Sequence, residues 1–277
     1  MQVSLITPRG FCFGVKRALQ MLDEVVALSP NVYVLHEIVH NSAVVEAYRQ
    51  KGVHFVDRLE DVPDGATVVF SAHGVSKQIA GQAKAKNLHI IDTTCPFVAR
   101  VHTWVAQLEA AGRQIILIGK EGHAETQGTL GQLSSPAHAW LINSVAQVEK
   151  LPAAAQVGIA TQTTLSKDDT DQIIKAIQAK YSDCALQTGI CKATTERQEA
   201  LKAACLTHDT VLVVGDKKSS NANRLVELAK AAVPYAYLIE SPDEVEELKM
   251  GNSVAITAAA SAPESIVQAI YHHLKKQ

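Results

Sequence analysis

Three cysteines in this chain share a setting that suits chemistry. Cys12 lies in "PRGFCFGVKRA", Cys95 in "DTTCPFVARV" and Cys191 in "GICKATTERQEAL". Each stands at or just before a predicted helix start. Apolar periodicity begins at Val15 after the first, and Pro96 is a favoured first helical residue after the second. Thr195 and Gln198 have the spacing of a capping box just beyond the third. Unpaired N–H groups and the dipole at a helix N-terminus favour a thiolate, the form that binds iron or attacks an electrophile. Three thiolates on one metal centre would leave a position open, which is the logic of a catalytic site. The plainer alternative is packing, because cysteine also serves as a small hydrophobe. Packing is the reading for Cys184 in "SDCAL" and Cys205 in "EALKAACLTH", which lack that context.

Three histidines recur in a second common setting. His40 in "HEIVHNSAVV", His73 in "SAHGVSKQ" and His123 in "GKEGHAETQG" each occupy a turn before a predicted helix. Asn41, Ser42 and Ser76 are candidate N-caps beside two of them. Imidazole donors at helix starts make an environment suited to phosphate. A solvated or capping histidine is the bland alternative at each position. Glu125 follows His123 by two residues. It either complements a helix N-terminus or delivers a proton from a site that raises its pKa.

Hydroxyls and amides form a third group. Ser219, Ser220 and Asn221 follow a predicted strand in "KKSSNANRL", and Ser261 lies in "AAASAPES". Ser261 and Glu264 match a capping box with Pro263 in the first turn, so capping accounts for Ser261 without excluding a ligand role. In "ATQTTLSKDD", Ser166 is placed to cap the next helix. Thr163 has no such duty and is the better functional candidate.

The elements that must hold these residues alternate along the chain. "VSLIT", "VYVL", "TVVFSA", "QIILIG", "QVGIAT", "TVLVVG" and "SVAIT" read as buried strands. Val15, Ala18, Leu19, Leu22, Val25 and Val26 follow a helical period, as do Ile266, Val267, Ile270 and Leu274. This pattern predicts an α/β protein with mostly parallel sheets and helices on both faces. Ligands in such folds gather beyond the carboxyl ends of strands. "VVFSAHGVSKQ", "ILIGKEGHAET", "VLVVGDKKSSNANR" and "VAITAAASAPES" each run from strand through a small or polar turn into a helix start. They suggest several similar units, with boundaries near Cys95 and Cys191.

Composition excludes several function classes. The 277 residues are 47% hydrophobic and 19% charged with net charge −2, so no basic field draws nucleic acid or an acidic membrane. No run of about 18 apolar residues exists to span a bilayer. Arg9 is an early cation without an apolar h-region, so we expect no signal peptide and a cytoplasmic location. An odd count of five cysteines without a CxxC pair argues against a disulfide framework, a zinc knuckle or a thioredoxin motif.

Taken in order, "PRGFC", "HEIVHN", "FSAHGVS", "TCP", "TQTTLS", "ATTERQEA", "SSNANRL" and "SAPES" resemble the 4-hydroxy-3-methylbut-2-enyl diphosphate reductases, iron–sulfur enzymes of the non-mevalonate isoprenoid pathway. The resemblance runs essentially end to end. It implies three similar α/β units around a central [4Fe–4S] cluster: 13–95, 96–190, and 191–277 completed by the N-terminal strand in 1–12. Cys12, Cys95 and Cys191 match the cluster ligands, leaving one iron open to the substrate's allylic hydroxyl. His40, His73 and His123 match the diphosphate surroundings, with Ser219, Ser220, Asn221 and Ser261 as further contacts. Thr163 and Glu125 match the pair near the departing hydroxyl, and with His123 they form the implied catalytic set. The implied reaction consumes two electrons and two protons and yields isopentenyl and dimethylallyl diphosphates. A reduced ferredoxin or flavodoxin is the implied donor, since the chain carries no nicotinamide fingerprint.

The chain departs from that family pattern at five places. Phe13 replaces a small residue after the first cysteine, Ala124 a proline, and Lys192 an aromatic after the third cysteine. Glu196 stands near the usual asparagine, and Ala259 replaces a glycine, which matters if that backbone needs positive φ. Two alternatives therefore stand beside the reductase. One is a divergent relative acting on or binding another allylic diphosphate. The other is a non-redox phosphate-binding module or cysteine hydrolase.

Overall fold

Strands and helices alternate from end to end in the computed structural model of this chain, which describes residues 1–276. The strands are β1 (Gln2–Leu5), β2 (Val32–Leu35), β3 (His54–Val56), β4 (Thr67–Phe70), β5 (His89–Asp92) and β6 (Gln114–Ile118), then β7 (Ala139–Ile142), β8 (Val157–Thr161), β9 (Cys184–Gln187), β10 (Thr210–Val214), β11 (Tyr235–Ile239) and β12 (Ser253–Ala258). The helices are α1 (Phe13–Leu28), α2 (Ser42–Gln50), α3 (Lys77–Ala85), α4 (Pro96–Ala110) and α5 (Ala124–Leu130), then α6 (Val145–Glu149), α7 (Lys167–Lys180), α8 (Lys192–Cys205), α9 (Ser220–Lys230) and α10 (Glu264–Lys275).

The strands form three four-stranded sheets, with every pairing parallel. Their orders are β3-β2-β4-β5, β7-β6-β8-β9 and β11-β10-β12-β1. All three orders are the same. The second strand of each run flanks the first, the third lies on the first strand's other side, and the fourth lies beyond the third. In the last sheet the fourth place goes to β1, whose Val3 pairs with Val254 of β12. The fold is thus α/β, with one architecture built three times. Its switch points lie between β2 and β4, β6 and β8, and β10 and β12, the places beyond whose strand ends ligands bind in open α/β sheets.

The central strands are continuous apolar runs because helices cover both faces. Ile115 to Ile118 and Val211 to Val214 are all at or below 1% exposure. α9 shows how the helices answer them. Ala222, Leu225, Val226 and Ala229 share one face and join Val211 and Val213 in the core. Burying each such leucine contributes about 1.5–3 kcal/mol. The periodic residues Ala18 and Leu22 of α1, and Val267 and Ile270 of α10, are fully buried as their spacing requires.

By internal contacts the chain falls into two compact units. One comprises Met1–Lys16, Val39–Ala47 and the chain from Lys192 onward, and holds the β11-β10-β12-β1 sheet. The other comprises Arg17–Ile38 and Tyr48–Cys191, and holds the other two sheets.

Candidate active site

The three thiols arise from the same place in the repeated architecture. Cys12, Cys95 and Cys191 follow β1, β5 and β9, the fourth strand of each sheet, and directly precede α1, α4 and α8. The carbonyls of Cys12 and Cys95 accept the first helical bonds, from Lys16 and Ala99, both at 2.9 Å. The three backbone amides are held alike. Cys95 N–H donates to Ala72 O at 3.0 Å, Cys191 N–H to Thr163 O at 3.1 Å, and Cys12 N–H to Ala260 O at 3.1 Å. Ala72, Thr163 and Ala260 each stand two residues past the end of the third strand, β4, β8 or β12. One hydrogen bond, used three times, seats each cysteine on the loop of its neighbouring strand.

The donor set suits an iron–sulfur cluster. The five cysteines form no disulfide among the described residues, and Cys12, Cys95 and Cys191 are half-buried thiols at helix starts, the ligand type that iron–sulfur clusters take. Burial pushes the Cys184 and Cys205 thiols up. Both pack beside core clusters, as their sequence context suggests. Among the described residues no three His, Cys, Asp or Glu side chains make a ready metal site. The three thiols come from both units, Cys12 from one and Cys95 and Cys191 from the other.

In the larger unit, β6 and β8 position the carboxylate. Glu125 is 2% exposed in the first turn of α5, and Thr163 is 5% exposed just past β8. Glu125 Oε1 accepts the Thr163 amide at 2.6 Å, and Oε2 accepts the Thr163 hydroxyl at 2.9 Å. Thr163 in turn carries the carbonyl that holds Cys191. His123 is the N-cap of α5, and its Nδ1 accepts the Glu125 amide at 3.1 Å. An accepting Nδ1 puts the proton of the neutral ring on Nε2, leaving that nitrogen as a donor. His73 lies past β4 with its ring edge-on to His123, centroids 5.7 Å apart. Its Nδ1 lies 3.3 Å from the Ser71 hydroxyl.

In the smaller unit, β10 and β12 carry the hydroxyl and amide group. Ser219 caps α9, accepting the Ala222 amide at 3.3 Å, and Ser220 and Asn221 open that helix. Asn221 is 3% exposed, yet neither atom of its side-chain amide has a hydrogen-bond partner. A buried primary amide left this way is costly unless a ligand answers it. Ser261 donates to His40 O at 2.9 Å, fixing the His40 turn to the loop after β12.

Asp216, unremarked in the sequence, fastens the same turn from the other strand. Its Oδ2 accepts the Ser42 amide at 2.8 Å and hydroxyl at 2.6 Å, and its Oδ1 accepts the Lys218 amide at 2.7 Å. Burial alone would raise its pKa, but these donors outweigh burial and hold the carboxyl below its ordinary value. An aspartate just past a buried strand was the available signal.

Two capping expectations are corrected. Ser261 and Glu264 form no capping box, because Pro263 is itself the N-cap of α10 and Glu264 is drawn 3.0 Å to Arg9. Thr195 and Gln198 lie inside α8, which begins directly after Cys191. The caps expected at Ser76 and Ser166 are present, and Asn41 rather than Ser42 caps α2 through the Val44 amide at 3.0 Å. Ala259 needs no positive φ, since His36 and Asn87 are the described non-glycine residues that have one. Phe13 is 64% exposed at the head of α1, and the exposed Lys192 pairs with Glu196 at 3.5 Å one helical turn on.

The sequence profile of a family described as LytB protein matches residues 3–275. A 4-hydroxy-3-methylbut-2-enyl diphosphate reductase of Cronobacter sakazakii is 43% identical, aligned over 99% of this chain and 90% of its own. The enzyme of that name from Anaplasma marginale is 45% identical over 99% of this chain and 82% of its own. A solved structure of the E-1-hydroxy-2-methyl-but-2-enyl-4-diphosphate reductase from Plasmodium falciparum superposes with a TM-score of 0.91 at 38% identity, covering 99% of this chain and 88% of that one. A second, of (E)-4-hydroxy-3-methyl-but-2-enyl diphosphate reductase, described as the terminal enzyme of the non-mevalonate pathway, gives 0.72 at 31% identity with complete coverage of both chains.

Proposed function

The chain belongs to the LytB protein family, and on that premise we propose how its own residues perform the reductase reaction. It is an oxidoreductase that removes the allylic hydroxyl of 4-hydroxy-3-methylbut-2-enyl diphosphate. Two electrons and two protons enter, the C–O bond breaks, water leaves, and isopentenyl and dimethylallyl diphosphates form.

Cys12, Cys95 and Cys191 would hold a [4Fe–4S] cluster. When bound, that group supplies electrons and a Lewis-acidic iron beside the leaving hydroxyl. The chain's side chains do the rest. His40, His73, His123, Ser219, Ser220, Asn221 and Ser261 hold the diphosphate, whose remote binding energy orients the allyl group. Asn221 offers its unanswered amide, and His123 offers its Nε2 proton. Glu125, once protonated, passes its proton to Thr163 Oγ1, which releases its own toward the departing oxygen. Hydroxide, a poor leaving group, thus departs as water.

The observation that carries this reading is the link from Glu125 through Thr163 to Cys191. It joins a buried proton source, a hydroxyl relay and a thiol-bearing segment through hydrogen bonds. The three α/β divisions 13–95, 96–190 and 191–277 with 1–12 each contain one whole sheet, which supports treating them as the functional units. A small reduced ferredoxin or flavodoxin serves as donor, in keeping with a sequence that lacks a nicotinamide fingerprint. A cytoplasmic setting suits cysteines that form no disulfide among the described residues.

The test is anaerobic turnover. Reconstituted protein given the substrate and a chemical reductant should release both five-carbon diphosphates. Protein that holds its cluster but returns the substrate unchanged, or prefers another allylic diphosphate, would overturn the assignment.

A further inference from the structure

Arg197 is a charged side chain in an unusual place. It lies in α8 at 3% exposure. Its Nη2 donates to Gly10 O at 2.6 Å, and its Nη1 to Ala193 O at 3.0 Å. Ala193 is in the first turn of α8. Gly10 belongs to the loop that ends at Cys12. The guanidinium therefore fastens the Cys12 loop to the head of α8 within one compact unit.

The loop is built to be held there. Gly10 has φ of +70°, a conformation other residues rarely adopt, and this turns its carbonyl toward the arginine. A Cβ at this position would stand 3.2 Å from Glu264 Oε2, and Glu264 itself takes Arg9. Two residues on, the Cys12 amide is fixed to Ala260 O. The segment is thus held at both ends, by a side chain at Gly10 and by backbone at Cys12. Arg17 makes a comparable bond in the other unit, donating to Thr94 O beside Cys95 at 3.3 Å.

Burying a guanidinium to satisfy loop carbonyls is costly where a backbone amide would do. A planar fork that reaches two carbonyls at fixed angles gives geometric definition in return. We propose that Arg197 is a positioning residue that presets the Cys12 loop, so that the thiol is presented before any metal arrives. This rests on reading Cys12 as a cluster ligand. Arg197 touches neither substrate nor cluster in this account; it acts through the loop.

The test uses the full-length apo chain and two readouts. Hydrogen exchange is followed in the peptide spanning residues 9–14 of wild type, Arg197→Met and Arg197→Lys, with α9 of the same unit as internal reference. Exchange in the loop should speed up by roughly tenfold in Arg197→Met while α9 is unchanged, because the loop opens locally. Arg197→Lys, with one compact donor group, should fall between. Iron uptake on anaerobic reconstitution should drop in the same order. Equal loop exchange in all three proteins, or loss of protection in α9 parallel to the loop, would overturn the proposal. Iron uptake by Cys12→Ser separates the two claims. Full uptake there removes the ligand reading, whereas Arg197's hold on the loop is judged by exchange alone.

Discussion

Thr163 is gripped by Glu125 through both carboxylate oxygens, its amide on Oε1 at 2.6 Å and its hydroxyl on Oε2 at 2.9 Å. Thr163 also holds the Cys191 amide through its carbonyl, at 3.1 Å. One short segment past β8 therefore couples a buried acid to a thiol-bearing turn.

Glu125→Gln keeps the shape and removes the acid. Turnover should fall on the order of a hundredfold or more, the usual worth of a positioned proton donor. Substrate affinity should stay near that of the wild type, measured by titrating the variant with substrate in the absence of reductant. Unchanged turnover would remove Glu125 from the reaction.

Thr163→Val removes the hydroxyl and leaves Glu125 Oε2 without that donor. The expected loss is about 1.5–3 kcal/mol of stability, the worth of a hydrogen bond to a charged group. Urea unfolding of the apo chain measures it. Thr163→Ser keeps the hydroxyl and should lose clearly less. Equal losses would assign the effect to the methyl group instead.

Asn221 is buried with an unanswered amide. Inorganic diphosphate should raise the thermal midpoint of the wild type, and Asn221→Ala should bind it roughly tenfold more weakly, as expected for a lost hydrogen bond to a charged group. Asn221→Asp should bind more weakly still, because it sets charge against charge. Equal affinities across the three proteins would separate Asn221 from the anion.

His102 lies under the Gly74 turn, and burial lowers its pKa from 6.5 to about 4, against the pull of Asp92. The folded chain therefore binds fewer protons than the unfolded chain between pH 6.5 and about 4. The stability that depends on neutral His102 is complete above that window and declines as pH falls through it. Urea midpoints from pH 7 to pH 4 should fall in the wild type and less steeply in His102→Gln. Parallel slopes would mean that His102 does not titrate there.

The legible part of this fold is its centre. All seven strands expected from apolar runs are present, and they are β1 and the six central strands. β3, β5, β7, β9 and β11 are not among those seven, and every one is a sheet edge; β7 ("AWLI") and β11 ("YAYLI") are apolar but only partly buried. With partly exposed faces, as in "HIID" and "CALQ", edge strands need no continuous apolar stretch. The pairing of β1 with β12 joins opposite ends of the chain through backbone bonds, which leave little mark on side-chain pattern. Among the site residues, those past central strands stood out by type. Asp216, past β10, carried that positional signal only, and Arg197 carried none, because a charge in a helix or a turn ordinarily faces water. Burial and the carbonyls and amides they hold are what establish their roles.

Iron content after anaerobic reconstitution tests the central claim most directly. Wild-type protein should take up about four irons per chain with broad visible absorption that changes when substrate is added. Cys12→Ser, Cys95→Ser and Cys191→Ser should each lose most of that iron and colour, while Cys184→Ser and Cys205→Ser keep both. A well-folded wild-type chain that takes up no iron would contradict the account, as would any of the first three variants retaining the full complement.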